Sequence, residues 1–325
     1  QEDKLCMSVV FTMDENARVL KHKLCRTVIR SDARLNYDEA QEVIVSGHAS
    51  NAVEEAILIL NRLAMILRAA RVAAGALMVE QEEMRFQLDD KGNPIEIYFE
   101  RPNESHHLIE EFMLLANRTV AKAVGGRPFV YRIHDIPDEE KLSELKAFKK
   151  RMGDRVQPHV IEMLTIRAMA KAVYSTFNIG HYGLAFSHYT HFTSPIRRYP
   201  DLMVHRLLDK YILTGKGETL PREILQEMCD HCSVCEQEAQ QAERESNKMY
   251  QAMWMAEHVG EIMAGHISGV TDFGLFVQLD ESRCEGLVHI STIGQDEYWQ
   301  HDEKNYRLVA ESMQKKKNKK SVKSY

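Results

Sequence analysis

HYTHFTSPIRRYPDLMVHR, residues 188–206, is the stretch on which the reading of this chain turns. It crowds aromatic rings, histidines, hydroxyls and two adjacent arginines into one loop and a helix start, with Pro200 near the first helical position. Arg197 and Arg198 offer planar donor forks that match phosphate oxygens. Thr193 and Ser194 add hydroxyl donors. Tyr182, Tyr189, Phe192 and Tyr199 offer faces on which unpaired bases can stack. Two other readings compete. One is a core loop in which the arginines pair with Asp201. The other is a metal site built from His181, His188, His191, Asp201 and His205. Asp201 and His205 stand four apart, on one helical face, but no H-x-x-x-H zinc spacing accompanies them.

Working outward, residues 180–194 read as a glycine-, aromatic- and histidine-rich loop, and a helix is expected from Pro200 to Tyr211. Upstream, residues 7–12 and 24–30 alternate as two strands around the turn residues Asp14, Glu15 and Asn16. Helices are expected at Tyr37–Val45 and Glu54–Ala73, and strands at Met84–Leu88 and Ile95–Phe99 around the turn Asp89-Asp90-Lys91-Gly92-Asn93-Pro94. Ser105 is the expected N-cap of a helix over 107–123, and two more helices are expected over 139–151 and 161–174. A long helix should fill 222–259, which holds neither Gly nor Pro. Beyond it, residues 260–269, 274–279 and 284–290 are β-branched and glycine-punctuated, as in three consecutive strands of a small barrel.

Composition narrows the class. With 44% hydrophobic and 28% charged residues the chain has enough apolar content for a real core. The most apolar stretch, 56–79, is interrupted by Arg62, Arg68 and Arg71, so no membrane partner is expected. No charged-then-apolar leader follows Gln1, and the start reads as a processed end or the edge of a fragment. Six cysteines are few for this length and fit a cytoplasmic setting. Cys229, Cys232 and Cys235 form a C-x-x-C-x-x-C run, yet they fall inside the expected long helix rather than in a metal-binding loop. Net charge is −6 although Lys315, Lys316, Lys317, Lys319, Lys320 and Lys323 sit in the tail, so the body is acidic. An acidic shell is compatible with a locally basic channel. Without a coiled-coil heptad or an apolar stripe, a monomer is expected.

The motif at 188–206 closely resembles the signature of the RNB domain of the RNase II/RNase R family of 3′→5′ exoribonucleases. IEEFMLLANRTVAKAV (109–124) and FVYRIHDIPDEEKL (129–142) resemble two further segments of that domain, and VTDFGLFVQLDESRCEGLVHIS (270–291) resembles an S1 domain. Nearly the whole chain is covered. The resemblance implies an α+β fold. Residues 1–258 would form part of an RNB-type catalytic domain around an RNA channel, and 259–313 an incomplete S1-type OB-fold barrel. Residues 314–325 would be a mobile, lysine-rich tail. It further implies processive hydrolysis of single-stranded RNA from the 3′ end to nucleoside 5′-monophosphates, with Mg²⁺ held by clustered aspartates. Such ions orient the nucleophile and stabilise the leaving oxygen.

Carried over by position, Arg197 matches an arginine that holds the scissile phosphate and supports catalysis. Glu110 matches an acid near the 3′-terminal nucleotides, although an acid in a first helical turn is also stabilised by the helix dipole. Tyr189, His191, Thr193, Ser194, Arg198 and Tyr199 fall within the same RNA-binding motif. Phe273, Phe276 and His289 match the nucleic-acid face of the S1 barrel, with strand alternation equally able to turn Phe276 into the core. The chain departs from the family in its metal ligands. The D-x₅-D-x-D-D cluster is absent and expected upstream of Gln1, and Asp89-Asp90 sits in a turn with the wrong spacing. This chain alone is therefore expected not to hydrolyse RNA, and an inactive RNA-binding module is the alternative. Val79 stands where the family commonly carries an aromatic clamp, and the segment around residues 153–155 looks short.

Overall fold

Asparagines start each of the first three helices among the described residues. In the computed structural model, which describes residues 2–78, 82–138, 143, 147, 169–215, 220–293, 299–302 and 307–310, Asn36 opens helix α1 (Tyr37–Ser46) with a reciprocal capping box. Its Oδ1 accepts from Glu39 N at 2.8 Å, and Asn36 N donates to Glu39 Oε2 at 2.7 Å. Asn51 caps α2 (Ala52–Ala73) by accepting from Val53 N and Glu54 N. Asn103, not Ser105, caps α3 (Glu104–Ala123). Ser105 already lies inside that helix, where its Oγ donates to the Tyr37 carbonyl at 2.9 Å and ties α3 to α1.

Strands β1 (Lys4–Met13) and β2 (Val19–Ile29) form an antiparallel ribbon, and Asp14 closes its turn by accepting from Asn16 N and Arg18 N. Strands β3 (Glu83–Leu88) and β4 (Pro94–Glu100) form a second hairpin. A short antiparallel pair follows, β5 (Tyr131–Ile133) with β6 (Val173–Ser175). β6 replaces the expected end of a helix over 161–174. Residues 161–168 of that helix, the helix over 139–151, Val79, the segment 153–155 and the lysine tail lie outside the described residues. Helix α4 (Tyr199–Leu208) carries the end of the motif and widens into a π-turn over Asp209–Leu213. Helix α5 runs from Arg222 to Glu257.

Two compact units emerge. The first comprises residues 1–81 and 101–239. Its core joins Val120 of α3 and the C-cap residue Val124, Phe129 and Tyr131 at β5, Val204, Leu207 and Leu208 of α4, and Leu225 and Cys229 of α5. Met7, Val9 and Leu24 of the β1–β2 ribbon pack against it. Cys229 is thus a core residue; burial pushes its thiol up to about 12, which keeps it protonated.

The second unit comprises residues 82–100 and 240–325. It holds the β3–β4 hairpin, the last turns of α5, and the sheet β7 (Gly265–Thr271), β8 (Gly274–Leu279) and β9 (Glu285–His289). Two further strands pair here, β10 (Trp299–Asp302) with β11 (Arg307–Ala310). Among the described residues beyond α5 there are therefore five strands where the sequence suggested three. Gly274 is required: at φ +152° a Cβ would stand 2.2 Å from the Val288 carbonyl oxygen. Arg283, at the β8–β9 turn with φ 53°, lays its guanidinium over the Phe99 ring at 4.1 Å and pairs with Glu82. Its carbonyl accepts from Gln251 Nε2 at 3.1 Å.

Candidate nucleic-acid interface

The motif is built around one buried acid. Asp201, in the first turn of α4, is 0% exposed. Its Oδ1 accepts from Ser194 N at 2.7 Å and from Arg198 Nη2 at 2.9 Å. Arg198 Nε lies 2.9 Å from Oδ2, close enough to pair charges without forming an aligned hydrogen bond. The intervening turn is closed by Arg197 N and Arg198 N, both donating to the Ser194 carbonyl at 3.3 and 3.0 Å. One arginine is thereby spoken for and the other is not. Arg197 is exposed, and its guanidinium makes no ion pair or side-chain hydrogen bond among the described residues. The core-loop reading holds for Arg198 and fails for Arg197. Arg198 is accordingly a structural partner of Asp201 rather than an open phosphate ligand.

The aromatic side chains divide in the same way. Tyr189 is 5% exposed and Phe192 is also buried, so neither has a free face for a base, which corrects the stacking expected of both. Tyr189 sits edge-on to His181 and His191, and its hydroxyl accepts from Asn117 Nδ2 at 3.2 Å. Asn117 Oδ1 accepts from Phe192 N at 3.0 Å. Tyr182 and Tyr199 are exposed and keep open faces. Thr193 is half-buried, with an Oγ1 that has no hydrogen-bond partner among the described residues. Ser194 keeps its hydroxyl beside the turn while its backbone is held by Asp201.

The histidines are committed elsewhere. Tyr174 Oη lies 2.8 Å from His191 Nδ1. Burial, followed by the nearby charge of Arg198, pushes His191 down to about 2. Burial and His134 push His181 down to about 3. Both are neutral near pH 7, and burial raises the Tyr174 phenol, so Tyr174 donates to His191. His205 Nε2 contacts the Phe192 carbonyl at 2.8 Å. Among the described residues no three His, Cys, Asp or Glu side chains are grouped to hold a metal. The histidine–Asp201 metal reading is overturned, and these residues do not fit the Mg²⁺ that the resemblance implies.

Glu110 projects from α3 and is half-exposed. Arg71, buried in α2, bridges it at 3.1 Å and also pairs with the buried Glu111. This Arg71 anchor, like Asn117, was not read from the sequence; a lone Asn or Arg on an otherwise apolar helical face was the available signal. A cleft of about 850 Å³ opens among α1, α2 and α3, lined by Leu35, Tyr37, Ile57, Leu60 and Leu108, and it includes none of the motif residues. In the second unit Phe273 is 51% exposed and stands edge-on to the half-buried Phe276 at 6.3 Å. His289 is exposed, with Nδ1 2.8 Å from Ser291 Oγ.

Body and barrel together define a class: an RNB-type domain followed by an S1-type domain. The RNB domain model matches residues 1–214 and the S1 RNA binding domain model residues 257–318. The chain belongs to the RNB family. It is 38% identical to Ribonuclease R of Thermotoga maritima over 95% of this chain and 48% of that protein. It is 39% identical to Ribonuclease R of Aquifex aeolicus over the same shares. Among solved structures it resembles Mycoplasma genitalium RNase R in complex with ribose methylated single-stranded RNA. The TM-score is 0.88 and the identity 26%, over 95% of this chain and 53% of that one. The chain spans about half the length of the curated relatives it matches.

Proposed function

We propose that this chain is part of a 3′→5′ exoribonuclease that hydrolyses single-stranded RNA processively to nucleoside 5′-monophosphates, with Arg197 gripping the scissile phosphate. The observation that carries the reading is the division of labour between the two arginines. Asp201 takes up Arg198, while Arg197 is exposed without an ion partner among the described residues, on a turn held from below. A planar fork so placed donates two parallel bonds to a phosphate, and those bonds strengthen as charge builds on it in the transition state. Tyr182 and Tyr199 supply open faces for unpaired bases, and Phe273 and His289 offer a second contact surface on the barrel. Metal ligation falls to acidic side chains outside the described residues.

The test is single-turnover release of mononucleotides from a labelled single-stranded RNA, at saturating RNA, by a longer version carrying the expected aspartate cluster. Arg197→Ala should slow release at least about a hundredfold, the scale for losing one preorganised donor to a developing oxyanion. RNA affinity should fall far less, and Arg197→Lys should recover little, since a point charge lacks the fork. Normal release by a well-folded Arg197→Ala protein would refute the assignment. Tight RNA binding with no release by the unmodified protein would instead establish an RNA-binding module.

A further inference from the structure

We infer that Asp201 is a positioning residue that holds the 194–198 turn so that Arg197 faces the RNA backbone. The inference rests on the reading of Arg197 above. A carboxylate at 0% exposure is expensive to bury unless its bonds are made, and here one oxygen takes both the Ser194 backbone N–H and the Arg198 guanidinium. Those two partners bracket Pro195, Ile196 and Arg197. Inside the bracket the Ser194 carbonyl accepts from the two arginine N–H groups. The turn is thus tied at both ends to one atom, Asp201 Oδ1, and the side chains left exposed within it are Ile196 and Arg197, of which only Arg197 can bond a phosphate. Asp201 also lies in the first turn of α4, where the helix N-terminus favours a negative charge. Nothing about Asp201 requires contact with substrate, because its side chain has no exposed surface.

The distinction between positioning and mere packing is measurable as coupling. Binding of a fluorescently labelled single-stranded oligo(A) to this chain would be followed against salt concentration. A single lost phosphate contact lowers the magnitude of the log–log slope by about 0.7 for single strands. Arg197→Ala is expected to lower it by that amount. Asp201→Asn removes the charge that holds Arg198 and is expected to lower it equally, with no further drop when added to Arg197→Ala. Should Asp201→Asn fail to fold, Arg198→Lys loosens the same clamp while leaving Asp201 a cation, and the same shared, non-additive drop is expected. An unchanged slope in folded Asp201→Asn or Arg198→Lys, beside a reduced slope in Arg197→Ala, overturns the positioning role alone. Additive losses also overturn it, since they mark Asp201 as acting on the fold at large. An unchanged slope in Arg197→Ala, or no binding by the wild-type chain, overturns the reading of Arg197 and the inference with it.

Discussion

The motif around Asp201 and the aromatic face around Phe273 are both candidate RNA contacts, yet they are made in opposite ways. In the first unit, Tyr189, Phe192 and Asp201 are buried behind an exposed surface that carries Arg197 and Tyr199. In the second, Phe273 itself is 51% exposed and is backed by Phe276 across one edge-on contact. A motif of the first kind carries many residues whose work is internal, so its length overstates the number of groups that meet a ligand. A face of the second kind shows its working residues directly. Substitutions should therefore trade stability against binding differently in the two places.

The largest expected effect breaks the support of the first region. Phe129 is fully buried in the core beneath the motif, edge-on to Tyr131 at 5.6 Å. Phe129→Ala should cost about 3–5 kcal/mol of unfolding free energy, measured by denaturant melts. A loss under about 1 kcal/mol would mean that the region is less tightly packed than its burial implies.

Next in size is a pH effect confined to the buried side. His191 protonates at about 2 in the folded chain, against an ordinary value of 6.5. On acidification the unfolded chain therefore takes up this proton first. Stability is retained above about pH 6.5 and falls as pH drops below it, at about 1.4 kcal/mol per pH unit for one such histidine. His191→Gln should make the stability–pH profile between pH 6 and pH 4 shallower by about that slope. Identical slopes for the two proteins would count against a neutral, buried His191.

The smallest effect on stability is expected on the barrel. Phe273→Ala should change unfolding free energy by no more than about 0.5 kcal/mol, because an exposed ring has little packing to lose. It should weaken single-stranded RNA binding by about 1–3 kcal/mol, the range for removing one stacked base partner. A large loss of stability with intact binding would reverse the contrast between the regions.

Much of this architecture was legible in residue order. Alternation located the two hairpins, and helical spacing located α1, α2 and α3. Ser105 was mistaken for a cap because Asn103 and Ser105 are both good capping residues two positions apart, and only tertiary structure supplies the Tyr37 carbonyl that claims the serine. β10 and β11 were missed because WQHD and RLVA are short and carry weak alternation. β6 was missed because three residues adjoining an Ala-, Met- and Leu-rich run do not announce a strand. At the site, adjacent arginines of identical chemistry cannot be told apart by type. Their separation into Arg198 within and Arg197 without depends on which one the start of α4 brings to Asp201. The burial of Tyr189 likewise depends on Asn117, which comes from a helix far upstream.

The hairpin at 82–100 has a consequence for how the second unit comes into being. Although the RNB model spans it, its Glu82 and Phe99 are partners of Arg283, a residue synthesised much later. The nascent hairpin must leave the ribosome and wait, with Phe99 uncovered, until the β8–β9 turn follows. Closing so long a stretch of chain costs entropy before any contact offsets it, and pairings of this kind form slowly. The barrel's fastening is thus expected among the last events of folding. A fragment beginning at residue 258 would carry Arg283 with neither the ring nor the carboxylate that the hairpin supplies.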